Sequence, residues 1–519
     1  MSRARAVLIG LLLAASVTQS LFFAWALVPD PEEEMYLYLG KLALTGRISL
    51  FQDEIVGNRM PLPYYVAGLS QVVFPRSFVA GRLFSATLGL VCLLLIWRVT
   101  SRVAGELAGL VALLFASTQS LLIGYFDVVS YHALVSFLLL VALYLELCVG
   151  WPYRRVAAMA CVSLLFFTRA TMMPLIPAAL VYFLWRERGA RARTLTVLVT
   201  ALPPVLFFAS DVRHWKFLAY VPVFDRVASA LGFVSNRGEG FAIGNIVASE
   251  NPVWSAALLF ARGYRMWIVA VLGVLAVSVV AWMRGRSIRP LFASSGVNLV
   301  AGTVLYLGVW QFVIMGPWKL QLAVGYFPQF AILAAICLGY WAAIVLDRLI
   351  ARPRERSLAL LALAGFFAVA PAESRPPMLP LAVSWQDPAV TALGGLASQL
   401  REVIPPGARV FHLGGPLGLY LAGVEPYLRQ ERDVAALALP GIEAGAERSG
   451  LWGRSDITRW LGREADYAVI VWPRAGLYRG TPLQPDLDLI DSLLRSHFAR
   501  VAVLTRYPGS TYEVYRRVR

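Results

Sequence analysis

The sequence predicts a polytopic α-helical membrane protein of about eleven transmembrane helices, followed by a C-terminal α/β domain. Three observations predict it. The 519 residues are 58% hydrophobic and 15% charged, with a mean hydropathy of +0.65, whereas a soluble domain carries about 25% charged residues. Apolar runs near the roughly 20 residues needed to cross a bilayer recur through the first 371 positions. From about residue 372 the pattern changes to short helix-like and strand-like segments in alternation.

The net charge of +16 raises the question of nucleic acid. Its distribution argues against that partner, because the arginines gather in short clusters between apolar runs, as the positive-inside rule expects. The four cysteines, Cys92, Cys148, Cys161 and Cys337, all lie in apolar segments, so neither a disulfide framework nor a zinc spacing is present. The opening "MSRARAVLIGLLLAASVTQSLFFAWALV" has the flanks of a signal peptide but too long an apolar core, and reads as an uncleaved first helix.

Taken in order, the expected spans are 7–28, 78–97, 103–122, 132–150, 156–168, 171–185, 194–210, 266–283, 292–314, 324–346 and 357–371. The basic clusters "SRAR", "RVTSR", "YRR", "RERGARAR", "MRGRSIR" and "RLIARPRER" then fall on one face, with the N-terminus inside. This threading makes residues 1–371 a transmembrane domain with outer loops at 29–77 and 211–265, and makes 372–519 an extracytoplasmic α/β domain. Both loops mix amphipathic and aromatic residues, as helices lying in the interface do. In the tail, "VTALGGLASQLREVI", "ITRWLGR" and "LDLIDSLLRSHF" read as helices, and "ARVFHLG", "DYAVIVW" and "RVAVLTRY" as strands. The paired glycines after "VFHL" lack the third spaced glycine of a dinucleotide fingerprint.

Chemistry concentrates in the first outer loop, "DPEEEMYLYLGKLALTG", which starts at Asp30. Acids favour the first turn of a helix, but three consecutive glutamates exceed what a cap requires, and like charges in contact repel. Arg59, ahead of "MPLPYY", suits either a lipid phosphate or ordinary snorkelling to headgroups. Asp127 in "GYFDVVSYHAL" is either a functional acid or the cap of the fourth span, and His132 reads as a packing residue.

These residues resemble the first loop of GT-C membrane glycosyltransferases, particularly relatives of protein O-mannosyltransferases and the lipid A aminoarabinose transferase. The resemblance lies in an acidic pair, a Tyr, a short amphipathic helix ending in Gly, a basic-Pro opening to the next helix, and a span carrying an early Arg. Counting back from Gly46 and Tyr36 sets the family's Asp-Glu pair on Glu32 and Glu33, with Asp30 near enough to compete. Arg59, Met60 and Pro61 match the basic-Pro-Pro opening, and Arg82 matches the early Arg. The chain departs from the pattern in having Glu32 for Asp and Met60 for Pro.

The resemblance implies transfer of a monosaccharide from a polyprenyl-phosphate donor to an acceptor protein, lipid or glycan, with inversion, at the outer face of the inner membrane. A first-loop carboxylate, Glu32, Glu33 or Asp30, would be the general base. Asp127 would support it, or join Glu33 in holding a divalent metal ion. Arg59, Arg82, Lys319, Tyr326 and Arg169 would bind the donor phosphate, although Trp318 and Tyr326 equally suit an aromatic belt. A polysaccharide-chain transferase of the same class is one alternative. A lipid flippase or transporter is another, disfavoured because the middles of the spans carry almost no ionisable residues.

Overall fold

The computed structural model describes residues 3–29, 31–50, 60–169, 172–211, 214–215, 293–310, 323–349, 388–427, 452–473, 475–505 and 509–518, with positions 272, 276, 279 and 283. In chain order the helices begin with α1 (Arg3–Ala26) and α2 (residues 31–44, whose middle turn Met35–Leu39 is π-helical). They continue with α3 (Pro61–Val73), α4 (Phe78–Ala104), α5 (Glu106–Ser117), α6 (Ser120–Asp127) and α7 (Tyr131–Cys148). Next come α8 (Arg154–Leu164), α9 (Leu175–Arg186), α10 (Ala190–Ser210), α11 (Ser295–Val309) and α12 (Ala323–Leu349). The tail adds α13 (Ala389–Val403), β1 (Arg409–Leu413), α14 (Leu417–Ala422), β2 (Glu425–Pro426), α15 (Arg454–Arg459) and β3 (Tyr467–Trp472). It closes with α16 (Gln484–His497), β4 (Phe498–Leu504) and β5 (Thr511–Arg517).

Among the described residues, five helices are long and apolar enough to cross a membrane: Ala6–Ala26, Phe78–Ala104, Tyr131–Cys148, Ala190–Ser210 and Pro328–Asp347. They match the expected spans 7–28, 78–97, 132–150, 194–210 and 324–346. The expected span 103–122 is instead broken into α5 and α6. Ser117 and Thr118 turn their hydroxyls back onto the Leu114 carbonyl, at 3.3 and 2.8 Å, and such back-bonding competes with helix continuation. The expected segment 156–168 is matched by α8 with the 3-10 turn Leu165–Phe167 that continues it, whereas 171–185 begins later, at Leu175. At 11 and 12 residues, α8 and α9 extend about 17 Å each, well short of the roughly 30 Å hydrocarbon core. The expected spans 266–283 (bar the positions named) and 357–371 lie outside the described residues.

Backbone contacts divide the chain into two units. The first comprises Met1–Ala24, Leu83–Leu206 and Ser249–Leu381. Within it, Glu146 near the end of α7 accepts hydrogen bonds from Arg155 Nε at 3.0 Å and from the Tyr182 hydroxyl at 3.1 Å, joining α7, α8 and α9. Burial of this carboxylate is tolerated because it is paired and hydrogen-bonded.

The second unit comprises Trp25–Arg82, Phe207–Ala248 and Ala382–Arg519. Its sheet has the order β2-β1-β3-β5-β4, with β1 parallel to both β2 and β3, and β5 antiparallel to β3 and β4. Phe411, Leu413, Ala468 and Ile470 alternate along β1 and β3. They form one core with Ile457, Trp460, Leu487, Ile490 and Leu494 from the α15 and α16 side. In the same unit α2 crosses α3 at Gly40 and Gly68. A Cβ on Gly40 would run into the Tyr64 carbonyl oxygen, and one on Gly68 into the Gly40 backbone. Only glycine permits this approach. α3 begins with Pro61 in the position where its missing N–H costs nothing. It buries Tyr64, Ala67 and Gln71 and exposes Tyr65, Leu69, Val72 and Val73 on its other face.

Candidate active site

The best-defined charged pair of the second unit lies on α2. Glu33 and Arg82 are both 0% exposed and form a bidentate ion pair. Arg82 Nε donates to Glu33 Oε1 at 2.9 Å and Nη2 to Oε2 at 2.7 Å, while Nη1 donates to the Leu27 carbonyl at 2.7 Å. The guanidinium also lies over the Phe78 ring, 4.2 Å from its centroid, a favourable placement for a desolvated cation. Arg82 follows Phe78 by four residues in the first turns of α4, so the two side chains share a helix face.

This geometry shows how two of the expected site residues are engaged. Arg82, expected on the donor phosphate, has its guanidinium engaged by Glu33 and by backbone. Glu33, expected as a base or metal ligand, directs both oxygens to Arg82. The engagement does not fit a metal-binding role, and among the described residues no group of three His, Cys, Asp or Glu could hold a metal ion.

Of the remaining first-loop acids, Asp30 lies outside the described residues, as does the side chain of Glu32. Glu34, passed over in the sequence, is half-buried, and its carboxylate meets Gly415 just past β1. Arg59 and Lys319 lie outside the described residues, and Tyr326 lies in α12 with its side chain outside them.

The first unit holds Asp127 and Arg169. Asp127 is the last residue of α6 and fully buried. It does not cap the next helix: Ser130 does, its hydroxyl accepting from the His132 N–H at 3.3 Å. His132 is buried between rings, 4.7 Å from Tyr125 and 4.1 Å from Tyr131 by centroid, with Nδ1 3.2 Å from Gln329 Nε2. Arg169 stacks over Tyr131 at 3.4 Å from the ring centroid. The structure thus brings Tyr131 and His132 together with Arg169 and Gln329, from three segments distant in sequence. Gln329 and Tyr131 carried no motif that would have marked them.

The chain resembles the GT-C class of membrane glycosyltransferases. Residues 58–215 match the family described as dolichyl-phosphate-mannose-protein mannosyltransferase. Among solved structures, the Archaeoglobus fulgidus oligosaccharyltransferase tethered with an acceptor peptide superposes with a TM-score of 0.51 at 12% identity, over 100% of this chain and 74% of that one. That likeness concerns the fold. ArnT from Cupriavidus metallidurans bound to undecaprenyl phosphate aligns over 99% of this chain and 98% of its own, at 15% identity and a TM-score of 0.45. No curated protein sequence matches the chain.

Proposed function

We propose that the protein transfers a monosaccharide from a polyprenyl-phosphate donor to an acceptor hydroxyl, at the outer face of an inner membrane, with inversion at the anomeric carbon. The observation that carries this reading is the buried Glu33–Arg82 pair. It anchors an acid-bearing helix beside the start of the membrane-crossing helix α4, within 58–215 of which Arg82 is part. A lipid-linked substrate needs such a surface location. The exposed apolar face of α3, immediately before α4, supports it further.

With Glu33 held by Arg82, the base falls to Glu32, with Asp30 as the second candidate. The base takes the proton of the acceptor hydroxyl as that oxygen attacks the anomeric carbon. The bond from that carbon to the phosphate oxygen breaks, and polyprenyl phosphate leaves with the electron pair. Arg59, Lys319, Arg169 and Tyr326 are the residues we assign to the departing phosphate, and Asp127 remains the second acid of the proposal. Arg82 becomes a positioning residue.

The test is to incubate the purified protein, in lipid nanodiscs, with polyprenyl-phosphate monosaccharides and to measure release of polyprenyl phosphate. Release abolished by Glu32→Gln or Asp30→Asn, in protein that still binds donor, is the expected result. Normal release from both variants removes the first loop from the chemistry.

A further inference from the structure

The tail's strand order places β1 between β2 and β3, so the chain reverses direction across the sheet at β1. In open α/β sheets the crevice outside the carboxyl ends at such a reversal is where ligands bind. Here the first residues past β1 are Gly414 and Gly415. A Cβ on Gly415 would collide with Glu34 Oε1 and lie 2.5 Å from Oε2 and 2.6 Å from Cδ. The occupant of the crevice is a carboxylate from the protein's own first loop.

We infer that the turn after β1 is a docking site for α2, and that Glu34 is the positioning residue that seats the acidic helix there. Spacing along α2 supports the assignment. Glu34, Tyr38 and Lys41, separated by four and three residues, share one face. That face meets the tail: the Tyr38 and Tyr420 rings are 5.1 Å apart, and Lys41 Nζ lies 5.5 Å above the Tyr420 ring. Glu33, Tyr36 and Gly40 form the other face. It meets α4 and α3 through Arg82, through the Tyr64 ring at 4.8 Å, and through the Gly68 backbone.

Two further contacts extend the dock. The Tyr420 hydroxyl donates to Gln71 Oε1 at 2.9 Å, and Arg47 forms a bidentate pair with Glu425 in β2, with Nη2 2.5 Å from Oε2. Neighbouring glutamates therefore serve opposite faces of one helix, Glu33 toward α4 and Glu34 toward the tail. The tail is a clamp on the loop that carries the base. This role rests on the transfer reading above, whereas the docking itself does not.

The experiment is hydrogen exchange of the 31–46 amides in the full-length protein in nanodiscs, alongside kcat and KM for donor. Gly415→Ala pushes only the end of a flexible side chain, so the fold persists while the Glu34 carboxylate is displaced. Gly415→Ala and Glu34→Ala should each speed exchange of these amides about tenfold. The double variant should be no worse than either single, because both act on one contact. Turnover should fall with donor KM unchanged, and swapping the pair as Arg47→Glu with Glu425→Arg should restore what Arg47→Glu alone loses. Unchanged exchange in both single variants, or additive effects in the double, overturns the dock. Absence of turnover in the unmodified protein would instead defeat the transfer reading, and the exchange rates would still decide the docking.

Discussion

The Glu33–Arg82 pair buries two opposite charges in one contact. Its partners are desolvated together, and removing one leaves an uncompensated buried charge. Arg82→Ala should therefore cost about 3–5 kcal/mol, read as a large fall in the thermal midpoint. Glu33→Gln keeps a hydrogen-bonding partner and should cost less. If Arg82→Ala leaves the midpoint unchanged, the pair is not the anchor of α2. The proposed base behaves in the opposite way. Glu32→Gln should lower turnover by about 10²–10⁴-fold with the midpoint preserved. For the donor cations, Arg59→Ala and Lys319→Ala should each weaken donor binding by about 1.5–3 kcal/mol, measured as donor affinity. Unchanged affinity in both would place the phosphate elsewhere.

At the scale of elements, the α2–α3 crossing and the Arg47–Glu425 latch make separate predictions. Gly68→Val places atoms against the Gly40 backbone, which cannot rotate away as a side chain can. The expected cost is about 1–3 kcal/mol, measured by thermal unfolding. The latch is sensitive to pH. The hydrogen bond from Arg47 holds the Glu425 carboxyl below the usual carboxylate range. A depressed folded pKa stabilises above the unfolded value and is lost as the pH falls through the folded one. Its contribution should be complete at neutral pH and should fade below about pH 4. The gap between the thermal midpoints of the native protein and of Glu425→Gln should narrow progressively as the pH falls below that. A constant gap down to pH 3 would mean that the latch does not stabilise the fold.

At the scale of the whole molecule, we propose from the one-sided Arg clusters that the N-terminus lies inside and the tail outside. Reporter fusions at Arg356 and Arg519 should therefore report opposite compartments; matching compartments would overturn the topology and the proposed location of the site. In that proposed topology the α/β tail would stand on the same side as the acidic helix it contacts.

Hydropathy and charge clustering were enough to read this chain as a membrane protein with an α/β tail, because apolar length and strand or helix period are local properties. The helices α1, α4, α7, α10 and α12 were legible for that reason, as were α13, β1, β3 and α16. The acidic first loop was legible too, through its surplus of carboxylates. Tertiary structure alone decided which partner Glu33 and Glu34 each meet. Glu33 meets Arg82 across 49 residues of sequence, and Arg47 meets Glu425 across 378; no local period encodes such pairings. It also decided that Ser130 rather than Asp127 caps α7, and that α5 and α6 are separate helices, because capping and back-bonding depend on backbone angles that residue type does not specify. Adjacent carboxylates are chemically identical in a sequence, and only the packing of α2 between α4 and the tail makes them different.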